Sequence, residues 1–447
     1  MTQSAPAFLR RLALSIYGPS ILFSLGEYAI LPLVSIIAVR MGAGIGLAGV
    51  IASAAVVGQV VGNLPSSWVV SRAGERAAML IASGVALVGA LGVAFAPNPA
   101  VLGLAVFVIG FAGAAFGLAR HSFMTTRVPV NFRARALSLL GGTNRMGRFV
   151  GPFVAAGLIA LTGDHEAPVW AFVVGVALAA GLVAFAPDPE RVVAAADGAS
   201  ARGSSSAGST GSSLGAPPAA PRPGVWGAIR DGGGGLLRVG GAAAILSGLR
   251  SIRDVLLPLW GVSIGLDATQ VALVVGISGT VDFALFYTSG QVMDRYGRLW
   301  ASLPALLVMA GGFLALSISH DLPSAGVWLL VVAIVVGLGN GLSSGINMTL
   351  GADLAPPGSP APFLAAWRTL TDFGGAAAPL AVSAVAVASL PIASAGAGVL
   401  AVLGALGFAR WIPRYIPHTG RSSRATRRAP RRQARRNPRQ SPRRPRR

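Results

Sequence analysis

Four carboxylates lie inside long apolar runs of this chain. Glu27 sits in SILFSLGEYAILP, Asp254 in LRSIRDVLLP, Asp372 in WRTLTDFGG, and Asp282 one turn after Ser278. Five arginines share such surroundings: Arg145 and Arg148 in GGTNRMGRFVGP, Arg250 and Arg253 beside Asp254, and Arg368 four residues before Asp372. A charge at the centre of a bilayer costs about 2.5–3.5 kcal/mol even on a lenient insertion scale, so each needs a partner or a task. Two tasks suit these residue types. A buried carboxylate with no partner favours its neutral form, and so can take up and release a proton. A buried arginine neutralises a carboxylate or holds an anionic substrate. Glu27 and Asp282 have no opposite charge on their own helix and are the leading proton-coupling candidates. Asp254 and Asp372 are candidates too, yet each has an arginine one turn away on the same face, Arg250 and Arg368. An ion pair within the helix explains those two equally well. Arg145, Arg250 and Arg368 are the candidate counter-ions or substrate contacts. Arg253 points about 100° away from Asp254 around the helix, so its partner is expected elsewhere. Arg120 and His121 fall close enough to a helix end to snorkel to the interface and are given no role.

Other chemistry finds little support. There is no cysteine, so thiol catalysis, disulfides and thiolate metal sites are excluded. His121, His165, His320 and His418 are scattered without metal-ligand spacing, and no metal or cofactor is expected. A membrane enzyme would need a reactive cluster that is not visible here.

The elements that hold these residues are membrane helices. Only 11% of the 447 residues are charged, against about 25% in soluble proteins, and 53% are hydrophobic. A spanning helix needs about 20 apolar residues. That ruler gives spans near 12–39, 44–70, 77–96, 100–124, 136–162 and 168–186, then 237–263, 268–293, 299–319, 323–350, 361–386 and 391–412. The expectation is an all-α membrane protein of twelve transmembrane helices in two six-helix halves, 1–186 and 237–412. A Gly/Ser/Pro-rich linker, 187–236, joins them and reads as flexible. Residues 413–447 form an arginine-rich tail without an acid, expected to be disordered. Arginines cluster on one side, at Arg72 and Arg76, Arg127, Arg133 and Arg135, the linker, Arg295 and Arg298, and the tail. By the positive-inside rule, both termini are cytoplasmic. All 36 basic residues are arginine, as in a GC-rich genome, so a bacterial cell membrane is expected.

The halves carry matching landmarks. SGQVMDRYGR (Ser289–Arg298) and SWVVSRAGER (Ser67–Arg76) occupy corresponding turns, with Arg295 matching Arg72 and Gly297 matching Gly74. Pro32 matches Pro258, Met124-Thr125 matches Met348-Thr349, and Gly151-Pro152 matches Ala378-Pro379. The offsets stay between 223 (295 − 72) and 227 (378 − 151) residues, as a parallel repeat requires.

Gly290-x-x-x-Asp294-Arg295-x-Gly297-Arg298 resembles the loop signature of the major facilitator superfamily, in the loop where that family carries it. The resemblance implies the major facilitator fold, a small-molecule substrate and a conformational latch formed by Gly290, Asp294, Arg295, Gly297 and Arg298, with Arg72 and Gly74 in the first half. Ser71 stands where Asp294 does, so the first-half copy lacks the carboxylate. Physically, Gly290 admits a close neighbour, Gly297 permits a positive φ, and Asp294 can face a helix N-terminus. In span five, Gly147, Gly151 and Pro152 resemble the motif of the family's drug-proton antiporters, with Ala155-Ala156 replacing a glycine pair. The leading expectation is therefore proton-coupled efflux of an amphipathic compound by alternating access. The alternatives are a proton-coupled importer of an organic anion or metabolite and a non-transporting membrane sensor or scaffold. The lipid bilayer is the solvent, anionic lipid is a candidate partner of the tail, nucleic acid is not expected, and a monomer is.

Overall fold

The computed structural model describes residues 16–126, 128, 130–185, 225–356 and 360–416. Most of the expected linker and nearly all of the tail, with Arg127, lie outside the described residues. Among the described residues, twelve helices follow one another: α1 (Gly18–Arg40), α2 (Ile45–Ala94), α3 (Pro99–Thr126), α4 (Val130–Thr162), α5 (Ala167–Phe185), α6 (Val225–Ser263), α7 (Ala268–Tyr296), α8 (Arg298–Ser317), α9 (Ala325–Leu342), α10 (Ile346–Leu354), α11 (Pro360–Ala386) and α12 (Leu390–Tyr415). There is no strand among the described residues.

These helices do not map one to one onto the expected spans. The 50-residue α2 holds two of them, joined at Gly74, whose φ of 80° and ψ of 167° break the helix. The second-half turn between α7 and α8 has nearly the same backbone at Gly297, φ 95° and ψ 169°. That region is open essentially to glycine alone, so the two turns share one conformation although their side chains differ. One expected span is divided instead, into α9 and α10, at Ser343–Gly345, with Gly345 left-handed at φ 79°. Carbonyls freed by that break are caught by a hydroxyl: Ser289 Oγ lies 2.7 Å from Leu342 O and 2.9 Å from Ser344 O. Non-helical backbone at membrane depth needs such partners. Finally, α6 begins at Val225, inside the segment read as linker.

Among the described residues, nine helical stretches are long and apolar enough to cross a membrane, the two arms of α2 counted as one and α9 with α10 as another. The remaining two, α4 and α11, occupy equivalent places in the two halves. Both are diluted by charged side chains, Arg145 and Arg148 in one, Arg368 and Asp372 in the other. The arrangement is consistent with twelve crossings.

Within each half, α1 packs on α4 and α5, α2 on α3, α6 on α11, α7 on α9, and α8 on α12. Between halves the contacts pair α4 with α7, α2 with α11, and α1 with α6. At the end opposite the Gly74 and Gly297 turns, this seam combines small residues with larger aliphatic ones, Leu33, Ile36, Ile159 and Val271 among them. Gly46 abuts Val387, Gly49 abuts Leu259 and Ser383, and Ala155 and Ala156 share a cluster with Ala268 and Ala272. A Cβ on Gly279 would stand 2.8 Å from the carbonyl oxygen of Arg148, so only glycine lets α7 lie this close to α4.

Candidate functional site

The site starts from one stripe of α4, at the helical spacing 144, 147, 148 and 151. Ser24 Oγ donates to Asn144 Oδ1 at 2.7 Å. A Cβ on Gly147 would meet Ser24, and one on Gly151 would meet the backbone at Tyr28 and Ala29. The two glycines therefore bring α4 against α1, and Arg148 emerges between them. Its guanidinium lies 4.9 Å from the centre of the Tyr28 ring, and Nη2 donates to the Tyr28 hydroxyl at 2.9 Å.

From there Arg148 crosses between the halves. Its Nη1 reaches Asp254 Oδ2 on α6 at 3.2 Å. Arg253 Nε lies 3.5 Å from the other oxygen of Asp254, while its Nη1 lies 3.7 Å from Asp282 Oδ2 on α7. Asn340 on α9 donates to that same Asp282 oxygen at 2.7 Å. The result is a chain of alternating charge, Arg148–Asp254–Arg253–Asp282, that is neutral in sum. Exposure divides it. The side chains of Arg148 and Asp254 are 31% and 33% exposed, while those of Arg253 and Asp282 are 2% and 8%. The first pair borders accessible space, and the second is sealed in protein.

Three further arginines surround this chain without a carboxylate at ion-pair distance among the described residues. Arg145 lies over the Phe286 ring at 4.0 Å. Arg250 Nη2 donates to the Ser343 carbonyl at 2.6 Å and to Ser343 Oγ at 2.9 Å, at the broken end of α9. Arg120, 5% exposed, donates to Asn144 Oδ1 at 3.3 Å, and its Nε and Nη1 have no partner. Glu27 is the matching carboxylate without an ion pair or hydrogen bond among the described residues. It faces Gly113 on α3, where a Cβ would stand 3.2 Å from Oε1. Arg120 and Arg148 are the charges that act on it through space. Aromatic rings flank the group, with Phe149 stacked on Phe283 at 5.5 Å between the halves.

Several expectations change here. Arg250 and Asp254 do not pair along α6, because Arg250 turns to Ser343 and Asp254 is taken by Arg148 and Arg253. Arg253 does reach its neighbour Asp254, a contact its angular offset spoke against, and it also finds Asp282. Asp282 is not a carboxylate without a partner, since Arg253 and Asn340 hold it. Arg120 is buried rather than snorkelling. Arg368 and Asp372 do meet, at 3.6 Å, and Asn63 of α2 donates to Asp372 at 3.1 Å from the other half. Arg148, Arg120, Asn144, Asn340 and Asn63 were given no role from sequence. The helical stripe 144, 147, 148 and 151 was the signal available for two of them.

At the turns, Arg298 Nε pairs with Asp353 of α10 at 2.9 Å, its Nη1 donates to Met293 O at 3.0 Å, and the same nitrogen lies 3.4 Å from Asp294. The firm carboxylate partner is thus Asp353, which sequence did not single out, while the Asp294 side chain is 84% exposed. Among the described residues nothing lies within 4 Å of a Cβ placed on Gly290, and none of them is the close neighbour expected there. Arg295 rests over the Tyr296 ring at 5.4 Å and Arg72 over Trp68 at 4.9 Å. In the first half, Arg76 donates to the carbonyls of Val183 and Ala184 at the end of α5, at 3.0 and 2.8 Å. Among the described residues, no group of three or more His, Cys, Asp or Glu side chains is placed to hold a metal ion.

Two helical halves closed at one end over a charged centre define a secondary transporter, a class that moves a solute by alternating access. The family model of the Major Facilitator Superfamily matches residues 20–379 and again 240–442, and the chain belongs to that superfamily. Its fold is similar to that of a D-xylose-proton symporter, with a TM-score of 0.68 at 15% identity over 92% of this chain and 99% of the other. It is similar also to a POT family transporter solved in complex with 5-aminolevulinic acid, with a TM-score of 0.70 at 11% identity over 91% and 97%. In sequence, 139 residues, 31% of this chain, are 30% identical to Inositol transporter 4 of Arabidopsis thaliana. That stretch spans 23% of the plant protein.

Proposed function

We propose that this transporter takes up a small organic anion together with protons. The observation that carries the reading is the surplus of arginine at membrane depth. Among the described residues, Arg120, Arg145 and Arg250 have no carboxylate at ion-pair distance, and Glu27 is the acid beside them without an ion pair. At about 2.5–3.5 kcal/mol for each uncompensated charge, these arginines favour a solute that brings negative charge with it. Arg145 and Arg250 are the substrate contacts, Arg120 acts on Glu27, and Glu27 is the proton carrier. Asp254, Asp282 and Asp372, already held by arginines, rank behind it, and Arg368 is read as the counter-ion of Asp372. The Arg298–Asp353 pair, with Asp294 beside it, is the part of the expected latch best supported by contacts. With the arginine-rich turns on the cytoplasmic side of the cell membrane, the small-residue seam closes the outer side.

Efflux of an amphipathic compound has weaker support. The glycines of α4 serve close packing against α1, which a carrier of either direction needs, and the similar structures include a proton symporter. A neutral sugar or polyol is the second reading, favoured by the stretch similar to Inositol transporter 4. The test is uptake by the full chain in liposomes under an imposed pH gradient, with labelled carboxylates, polyols and a hydrophobic dye as separate panels. Carboxylate accumulation is expected, abolished by R145Q. With E27Q, exchange of carboxylate should continue while gradient-driven accumulation stops. Polyol uptake indifferent to R145Q, or gradient-driven dye efflux, would sink the anion reading.

A further inference from the structure

Far from the central site, three arginines meet one tryptophan where α6 and α12 adjoin at the Gly74 and Gly297 end. The guanidinium carbons of Arg238, Arg410 and Arg414 stand 4.7, 5.4 and 5.4 Å from the centre of the Trp411 ring. Arg238 Nη1 also donates to the Tyr415 hydroxyl at 2.7 Å, which ties α6 to α12. All three arginines are exposed, and none has a carboxylate at ion-pair distance among the described residues. Three like charges around one ring repel one another. Cation–π attraction orients them without neutralising them.

What lies beside them on α12 says which anion fits. Val399, Leu403 and Leu406 are 54%, 55% and 60% exposed and lead to Arg410 at spacings of one helical turn. In a spanning helix such a stripe faces acyl chains. A shallow groove lined by Leu406, Gly407, Ala409, Arg410 and Trp411 spans the junction between the stripe and the cations. Tryptophan and arginine at a span's end are groups of the headgroup level. The guanidinium fork suits a phosphate.

We propose that this corner binds an anionic phospholipid, its phosphate held by Arg238, Arg410 and Arg414 and an acyl chain laid along Leu406 and Leu403. A soluble phosphate would use only the cations and leave the adjoining groove and stripe unexplained. The reading is independent of the transported solute.

The experiment titrates the full chain in detergent with phosphatidylglycerol or phosphatidylcholine and counts bound lipid by native mass spectrometry. Wild type should prefer phosphatidylglycerol. The R238Q/R410Q/R414Q variant should lose about fivefold in affinity per arginine, roughly a hundredfold in all. Its thermal midpoint in phosphatidylcholine checks that it folds. Should the triple variant unfold, R410Q alone is expected to show the fivefold loss. A full chain with the arginines beyond Thr419 changed to glutamine should keep the preference. Undiminished phosphatidylglycerol binding by the triple variant overturns the proposal, as does loss of the preference with the tail variant alone. Glycerol phosphate binding as tightly as the lipid would overturn it too, because the acyl groove would then contribute nothing.

Discussion

Glu27 and Asp282 look alike in sequence, each a lone carboxylate in an apolar helix, yet their surroundings differ in kind. Asp282 is gripped by Arg253 and Asn340 in a pocket closed to solvent. Neutralising it orphans a buried guanidinium, and breaking a buried pair from one side costs about 3–5 kcal/mol. Glu27 has no ion pair or hydrogen bond to lose among the described residues, only the charges of Arg120 and Arg148 acting through space. D282N is therefore expected to lower the thermal midpoint strongly, while E27Q stays within about 1 kcal/mol of wild type and loses proton coupling. Thermal unfolding in one detergent, read beside gradient-driven uptake, separates the two. Equal destabilisation by both would show that Glu27 also has a structural partner. The charges themselves were legible, because arginine and aspartate stand out in apolar runs. Their pairing was not. Whether Arg145 or Arg148 crosses to α6 depends on helix rotation, which a run of apolar residues leaves undetermined. Asn63, Asn144 and Asn340 carry no charge to draw notice, although each supplies a hydrogen bond that a nearby charge uses.

At the scale of elements, the two short turns are the firmest inheritance of the repeat. Gly74 and Gly297 adopt almost the same φ and ψ although their neighbours differ at Ser71 and Asp294. A side chain in that region costs about 1–3 kcal/mol, so G74A and G297A should each destabilise by that amount. Chemical denaturation of the two variants is the check, and no loss in either would mean the turn can relax. G290A, with open space around its Cβ, should be silent by comparison. The twelve crossings read from apolar length, at about 20 residues each, are consistent with the structure. Helix continuity was not legible. Short runs of serine and glycine are compatible with helix or break, and Ser343–Gly345 is a break because Arg250 and Ser289 capture its carbonyls. The start of α6 was missed for the opposite reason: glycines and a nearby proline-rich stretch concealed a helix that begins at Val225.

Across the whole molecule, the two halves meet in two unlike ways. Toward the centre they are joined by charge and hydrogen bonding, Arg148 to Asp254 and Asn63 to Asp372. At the end opposite the turns they are joined by glycine, alanine and a few larger apolar residues. The two-half plan was legible from landmarks at a near-constant offset. Which end is closed was not, because small residues at a seam read like any other stretch of apolar helix. Closure of that end has a kinetic meaning. Parting the alanines and glycines wets little apolar area, at about 25 cal/mol for each Å², while Leu33, Ile36, Ile159 and Val271 add more. Reorientation must also separate Arg148 from Asp254, the ion pair that joins the halves near the centre. Bulk at Ala272 should slow carrier-mediated exchange by holding α4 and α7 apart, which initial exchange rates for A272L would report. Changing the charged pair should instead alter how steeply turnover rises with temperature. An aliphatic seam in front and an ion pair behind it are two barriers of different temperature dependence, which those rates would tell apart.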